Sequence, residues 1–207
     1  MPGLPESAMV SAPTHSRTLP STLLAHAART PHSCFVGVWS PTAGTVLECS
    51  FAQLADCMLS AALRLRDKHD MRAAELFALW AANSVAYLSL SLGAMCVGAV
   101  SIHLNWRNPP EVNRRILADL RPRLLVADAA HHAVSTTVPS ALGISVAALE
   151  SICCMDHGAL PFLCQLDSLS ASQMREQIAR LDPTKPAAVF FTGGTTGTPK
   201  VATAEPA

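Results

Sequence analysis

The period of apolar and polar positions changes several times along the chain. Residues 1 to 18, rich in Pro, Ser and Ala, have no period and read as a flexible leader. Ser21 then caps a short helix through Leu23, Leu24 and Ala27 that ends before Pro31, because the residue preceding a proline avoids the helical region. Cys34 to Trp39 and Thr45 to Cys49 are two β-like runs separated by Ser40, Pro41, Thr42, Ala43 and Gly44, which predicts a hairpin. Ser50 with Gln53 three residues later is a capping-box pattern. Phe51, Leu54, Met58, Ala61, Ala62 and Leu65 follow at helical spacing, so an amphipathic helix is expected over 51–66.

Past the charged stretch Arg66 to Arg72, the apolar run Leu76 to Trp80 has strand length and Asn83 stands where a helix cap belongs. Val85 to Leu104 is twenty residues whose only ionisable basic side chain is His103, long enough to span a membrane. Its serines, however, and the division by Gly98 between a helix-like half and the β-branched Val97, Val100 and Ile102 favour a helix followed by a buried strand. Asn108, Pro109, Pro110 and Glu111 supply a cap, a proline at the first helical position and an acid at the positive helix end. The buried stripe of that helix is Val112, Ile116, Leu117 and Leu120, Pro122 ends it, and Leu124 to Ala127 is the next strand. Strand, helix, strand, helix, strand over 75–127 predicts an α/β fold, a parallel sheet with packed helices. Residues 128 to 180 are less periodic: a strand near Ile144 to Val146 and a helix from Ser172 to Leu181, stopped before Pro183, are expected, with their order open.

Composition narrows the function classes. Fifteen Lys and Arg balance fifteen Asp and Glu, so no basic surplus points to nucleic acid. With 50% apolar and 14% charged residues the chain is globular over most of its length. Seven cysteines, at 34, 49, 57, 96, 153, 154 and 164, show neither CxxC nor zinc spacing and read as buried reduced thiols. Adjacent His131 and His132 point in different directions on a helix or strand, so no metal site is expected. No secretory signal is visible. A Ser- and Pro-rich start with arginines at 17 and 29 faintly suggests a transit peptide, leaving cytoplasm and an organelle both open.

The segment that carries chemistry is Ala187 to Lys200, an apolar run leading into Thr192-Gly193-Gly194-Thr195-Thr196-Gly197-Thr198-Pro199-Lys200. Glycines let backbone N–H groups form a concave nest for anionic oxygen. The hydroxyls of Thr192, Thr195, Thr196 and Thr198 add donors, and Lys200 adds a positive charge that pairs with phosphate. Neither a Walker loop nor a dinucleotide fingerprint fits the register. On residues alone, an ordinary Gly- and Thr-rich turn remains an equal alternative.

The segment resembles the phosphate loop of the adenylate-forming superfamily, whose pattern runs Tyr or Phe, Thr-Ser-Gly, Ser or Thr, Thr-Gly, any residue, Pro-Lys. Eight of the ten positions from 191 to 200 agree, and the departure is Gly193 in place of Ser, a variant that fatty acyl-CoA ligases include. Upstream, Ala82-Asn83-Ser84, Gly93, Gly98-Ala99-Val100, Leu104-Asn105, Pro109-Pro110-Glu111 and Arg123-Leu124-Leu125-Val126 are similar to the family's strands and helices ahead of that loop, and Thr18 to Pro31 looks like its usual start. The resemblance implies a partial AMP-binding (adenylation) domain over residues 19–201, with 202–207 a divergent tail. It further implies ATP and a carboxylic acid as partners, Mg2+, acyl-adenylate formation with release of pyrophosphate, and transfer to coenzyme A or a carrier thiol. Gly193, Gly194, Gly197, Lys200 and the threonines would hold the β- and γ-phosphates.

The family's acyl and adenine pockets, magnesium carboxylate, ribose aspartate, hinge and adenylation lysine follow the loop, and Val201 to Ala207 lacks the glycine and Ser/Thr-His step that often continue the pattern. A fragment, splice form or truncated gene model is therefore expected. No catalytic residue is assigned, and the isolated chain is expected to be inactive. The competing expectations are a non-enzymatic binding or regulatory remnant of the same fold, and a membrane protein anchored through 85–104.

Overall fold

A computed structural model of the protein describes residues 17–40, 44–135, 142–152, 167–192 and 200–204. Helix α1 (Leu19–Arg29) leads to strands β1 (Cys34–Ser40) and β2 (Thr45–Ser50), an antiparallel hairpin as expected. Helix α2 (Phe51–Lys68) follows, and then β3 (Leu76–Trp80), α3 (Val85–Cys96), β4 (Val100–His103), α4 (Pro110–Leu120) and β5 (Leu124–Ala127). The later elements are α5 (Ala129–Ser135), β6 (Ser145–Ala148), a one-turn α6 (Leu149–Ile152), α7 (Ser168–Ala179), β7 (Ala188–Thr192) and β8 (Lys200–Ala204).

The main sheet has the strand order β6-β5-β3-β4-β7-β8, with the first five parallel and β8 antiparallel to β7. Alternation along the strands divides the core. Phe77 and Leu79 of β3 face a layer built from Leu54, Met58, Leu65, Leu90, Met174 and Ile178 of α2, α3 and α7. Ala78 and Trp80 face the other way, onto Ile116 and Leu117 of α4. Helices therefore cover both faces, which is the α/β architecture that the period changes predict.

Local signals hold where the sequence offers one candidate and slip where it offers two. The Ser50–Gln53 capping box forms, Gln53 N–H donating to Ser50 Oγ at 3.3 Å and Ser50 N–H to Gln53 Oε1 at 2.8 Å. Thr18 rather than Ser21 caps α1, because Pro20 fits the first turn and the helix begins before it. Ser84 rather than Asn83 caps α3, accepting from Tyr87 N–H at 3.1 Å. Pro109, not Asn108, occupies the cap position of α4 and Pro110 begins it. Asn108 instead donates to buried Asn113, whose own amide donates to Asn105 O at 3.0 Å, so the stripe of α4 contains a polar residue that apolar counting misses. Helix α7 starts at Ser168 because Asp167 caps it through Ser170 N–H at 2.9 Å, four residues ahead of the expected start at Ser172.

The apolar run 85–104 is divided between α3 and β4, with Gly98 in the turn at φ +75°. Among the described residues no helix is long and apolar enough to cross a membrane. Cys49, Cys57 and Cys96 are buried reduced thiols, whereas Cys34 is exposed and departs from the expectation; Cys153, Cys154 and Cys164 lie outside the described residues. Burial pushes the Cys96 thiol up.

Candidate functional site

Thr192 ends β7 and Lys200 begins β8, and the antiparallel ladder sets the two residues opposite each other. That pairing brings together the two ends of the segment 193–199. Gly193, Gly194, Thr195, Thr196, Gly197 and Thr198 lie outside the described residues, as do the side chains of Thr192 and Lys200. Because β7 runs parallel to β4, its end at Thr192 lies at the same sheet edge as the ends of β3, β4 and β5, the carboxyl edge where open α/β sheets bind ligands.

A cavity of about 490 Å³ opens at this edge, lined by Asn83, Tyr87, His103, Asn105, Arg107 and Phe190 among others. Its back wall is a hydrogen-bonded cluster. His103, the last residue of β4, has Nδ1 at 2.5 Å from the Tyr87 hydroxyl of α3. Its Nε2 lies 3.0 Å from Ser101 Oγ and 3.3 Å from Ser91 Oγ. Ser101 Oγ donates its own proton to Ala187 O at 3.2 Å, leaving lone pairs to receive a proton from the imidazole. The consistent pattern is therefore an Nε2–H tautomer, with Tyr87 donating to Nδ1. On its face the imidazole stacks on Phe190, centroids 4.8 Å apart and planes within 6°. Burial disfavours the charged imidazole and holds His103 down at about 4, and burial pushes the Tyr87 phenol up to about 12.

A second cluster lies beyond β5. Asp128 Oδ2 accepts from Ala82 N–H at 2.8 Å and thereby fixes the turn after β3. Its Oδ1 accepts from His131 N–H at 3.1 Å and faces His131 Nδ1 at 2.6 Å. The His131 ring lies against Trp80 at 5.9 Å and edge-on to Trp106 at 6.3 Å, and Arg107 sits over Trp106 at 4.8 Å. Among the described residues no group of three or more His, Cys, Asp or Glu is placed to hold a metal ion.

Sequence reading singled out neither His103 nor Tyr87 as site residues. The signal was present, because His103 is the only titratable base in an otherwise apolar run and Tyr87 is the only tyrosine of the chain. Polar groups placed in such a run need partners when buried.

Comparisons with known proteins bear on the fold and the family. No curated protein matches the chain. Among solved structures, the Klebsiella oxytoca NpsA N-terminal subdomain in complex with 3-hydroxybenzoyl-AMSN has a TM-score of 0.68 at 17% identity, covering 92% of this chain and 41% of that one. VinN gives 0.67 at 19%, covering 93% and 46%. The inhibitor-bound N-terminal domain of FACL13 from Mycobacterium tuberculosis gives 0.64 at 18%, covering 91% and 44%. The chain thus spans less than half the length of these structures, and at such identities the likeness is one of fold. The family model described as "AMP-binding enzyme" matches residues 24–205. With that match over most of the sequence, the chain belongs to the AMP-binding enzyme family.

Proposed function

We propose that residues 19–201 are part of an adenylation domain that holds the β- and γ-phosphates of ATP in the connection between β7 and β8. The observation that carries this is the ladder setting Thr192 opposite Lys200, which closes a Gly- and Thr-rich segment at the carboxyl edge of the sheet. In this reading the backbone N–H groups of Gly193, Gly194 and Gly197, the hydroxyls of Thr192, Thr195, Thr196 and Thr198, and the Lys200 ammonium grip the leaving pyrophosphate. A carboxylate oxygen of the substrate attacks the α-phosphorus, the bond from that phosphorus to the β-bridging oxygen breaks, and acyl-adenylate and pyrophosphate result. The loop contributes positioning and charge neutralisation along the line of displacement. The acyl group then passes to a thiol, which we assign to coenzyme A: the sulfur attacks the acyl carbon, the bond from that carbon to the phosphate oxygen breaks, and AMP and the thiol proton leave. The Gly193 variant favours a fatty acid as the substrate. Mg2+ supplies further neutralisation when bound, but the described residues offer no cluster to hold it and none is assigned to it.

Calorimetric titration of the 207-residue chain with ATP tests the reading. Expected is a dissociation constant of roughly 1 mM, about −4 kcal/mol, that weakens strongly in Lys200→Ala without a change in circular dichroism. These residues alone should not catalyse ATP–pyrophosphate exchange. Absence of ATP binding at about ten times that concentration, or equal binding by Lys200→Ala, would overturn the assignment of the loop.

A further inference from the structure

We propose that His103 is a positioning residue for the phosphate loop, bracing the outer end of β7 through its ring stack on Phe190. The inference rests on the reading above for what the loop binds, but its structural part stands by itself.

The β4–β7 ladder is short. It pairs Ser101 with Ala188 and Ile102 with Val189, and goes no further. Strand β7 nevertheless continues through Phe190, Phe191 and Thr192 to the start of the loop. On one side those three residues pair with Ala202, Val201 and Lys200 of β8. On the β4 side, Phe191 packs on one face against the cluster that includes Ile102 and Leu104, and on the other face the contact that reaches Phe190 past the ladder is the imidazole of His103 lying flat on its ring. Phe190 is 47% exposed, so burial alone does little to hold it.

The imidazole is itself held at both nitrogens. Tyr87 and Ser91 reach it from α3, and Ser101 reaches it from β4 while bonding Ala187 O at the root of β7. Rotation of the ring would break these bonds in a half-buried setting, where unpaired polar atoms are costly. The ring plane is thus fixed by three side chains, and the fixed plane sets where Phe190 can lie. Phe190 is two residues from Thr192, so a shift of β7 there is passed to the loop.

Two substitutions separate this from a merely structural role. His103→Phe keeps a flat ring for Phe190 but removes the imidazole partner of Tyr87, Ser91 and Ser101, while His103→Gln keeps polar atoms for them and loses the stack. Amide hydrogen exchange at Phe190, Phe191 and Thr192 should accelerate in His103→Gln and stay near the wild-type rate in His103→Phe, although His103→Phe is the less stable of the two by urea denaturation. ATP titration should follow the same order, with affinity down roughly fivefold or more in His103→Gln and retained in His103→Phe. Unchanged exchange in His103→Gln, or exchange and affinity that simply track global stability, would overturn the proposal. If the wild-type chain binds no ATP, the phosphate reading fails, and the exchange comparison still decides for or against the brace.

Discussion

Gly93 lies in the middle of α3, where alanine normally stabilises a helix by about 1 kcal/mol. Here we expect the opposite. A methyl group at Gly93 would come within 2.9 Å of Ala61 Cβ, 2.9 Å of Ala62 N and 3.1 Å of Met58 O, all on α2. Two of these atoms are backbone and cannot rotate away, so α2 and α3 must separate. That separation opens the layer in which Leu54, Met58, Leu65 and Leu90 pack. Overpacking costs about 1–3 kcal/mol, and here the upper part of that range, about 2–3 kcal/mol, because backbone atoms must shift; propensity returns about 1 kcal/mol. A net loss near 1–2 kcal/mol in Gly93→Ala corresponds to a melting temperature roughly 2–8 °C lower for a chain of this size. Differential scanning calorimetry with urea denaturation measures it. Ala61→Gly in the Gly93→Ala background removes one of the three contacts and should restore part of the loss, giving a favourable coupling energy between the two sites. A Gly93→Ala protein as stable as the wild type, or more so, would refute the close-approach argument.

Two other perturbations address the carboxyl edge of the sheet. His103 is held neutral, at about 4 against 6.5 for a free imidazole, so between those pH values the unfolded chain takes up a proton that the folded chain refuses. Its contribution is therefore fully present above pH 6.5 and is lost as pH falls towards 4, by an amount on the order of 3 kcal/mol. Urea midpoints across that window should drop less steeply in His103→Gln, and parallel profiles would count against a buried neutral imidazole. Asp128→Ala removes the acceptor of the Ala82 amide and should cost about 1–3 kcal/mol, read as faster amide exchange at Ala82 and a lower urea midpoint; an unchanged Ala82 rate would mean that the carboxylate does not fix that turn.

What could be read from the sequence is what nearby residues decide. The Ser50–Gln53 box, the break at Gly98 and the strands Leu76–Trp80 and Leu124–Ala127 are each set within a few residues, and all appear where expected. Caps slipped by a residue or more at Ser21, Asn83 and Asn108, and the helix start expected at Ser172 moved to Ser168, where several capping side chains compete and tertiary packing chooses among them. Placement of β7 beside β4 could not be read, because Val189 lies 87 positions beyond its partner Ile102 and no local signal spans them. The site shows the same division. The Gly- and Thr-rich pattern from Thr192 to Lys200 is written in consecutive residues, whereas its surroundings are assembled from Tyr87 on a helix, His103 on a strand and Phe190 on a distant strand. A motif can thus name a chemistry from sequence, but what holds the motif in place comes from packing. For that reason His103 and Phe190, rather than the glycines, are the residues at which the structure adds most to the sequence.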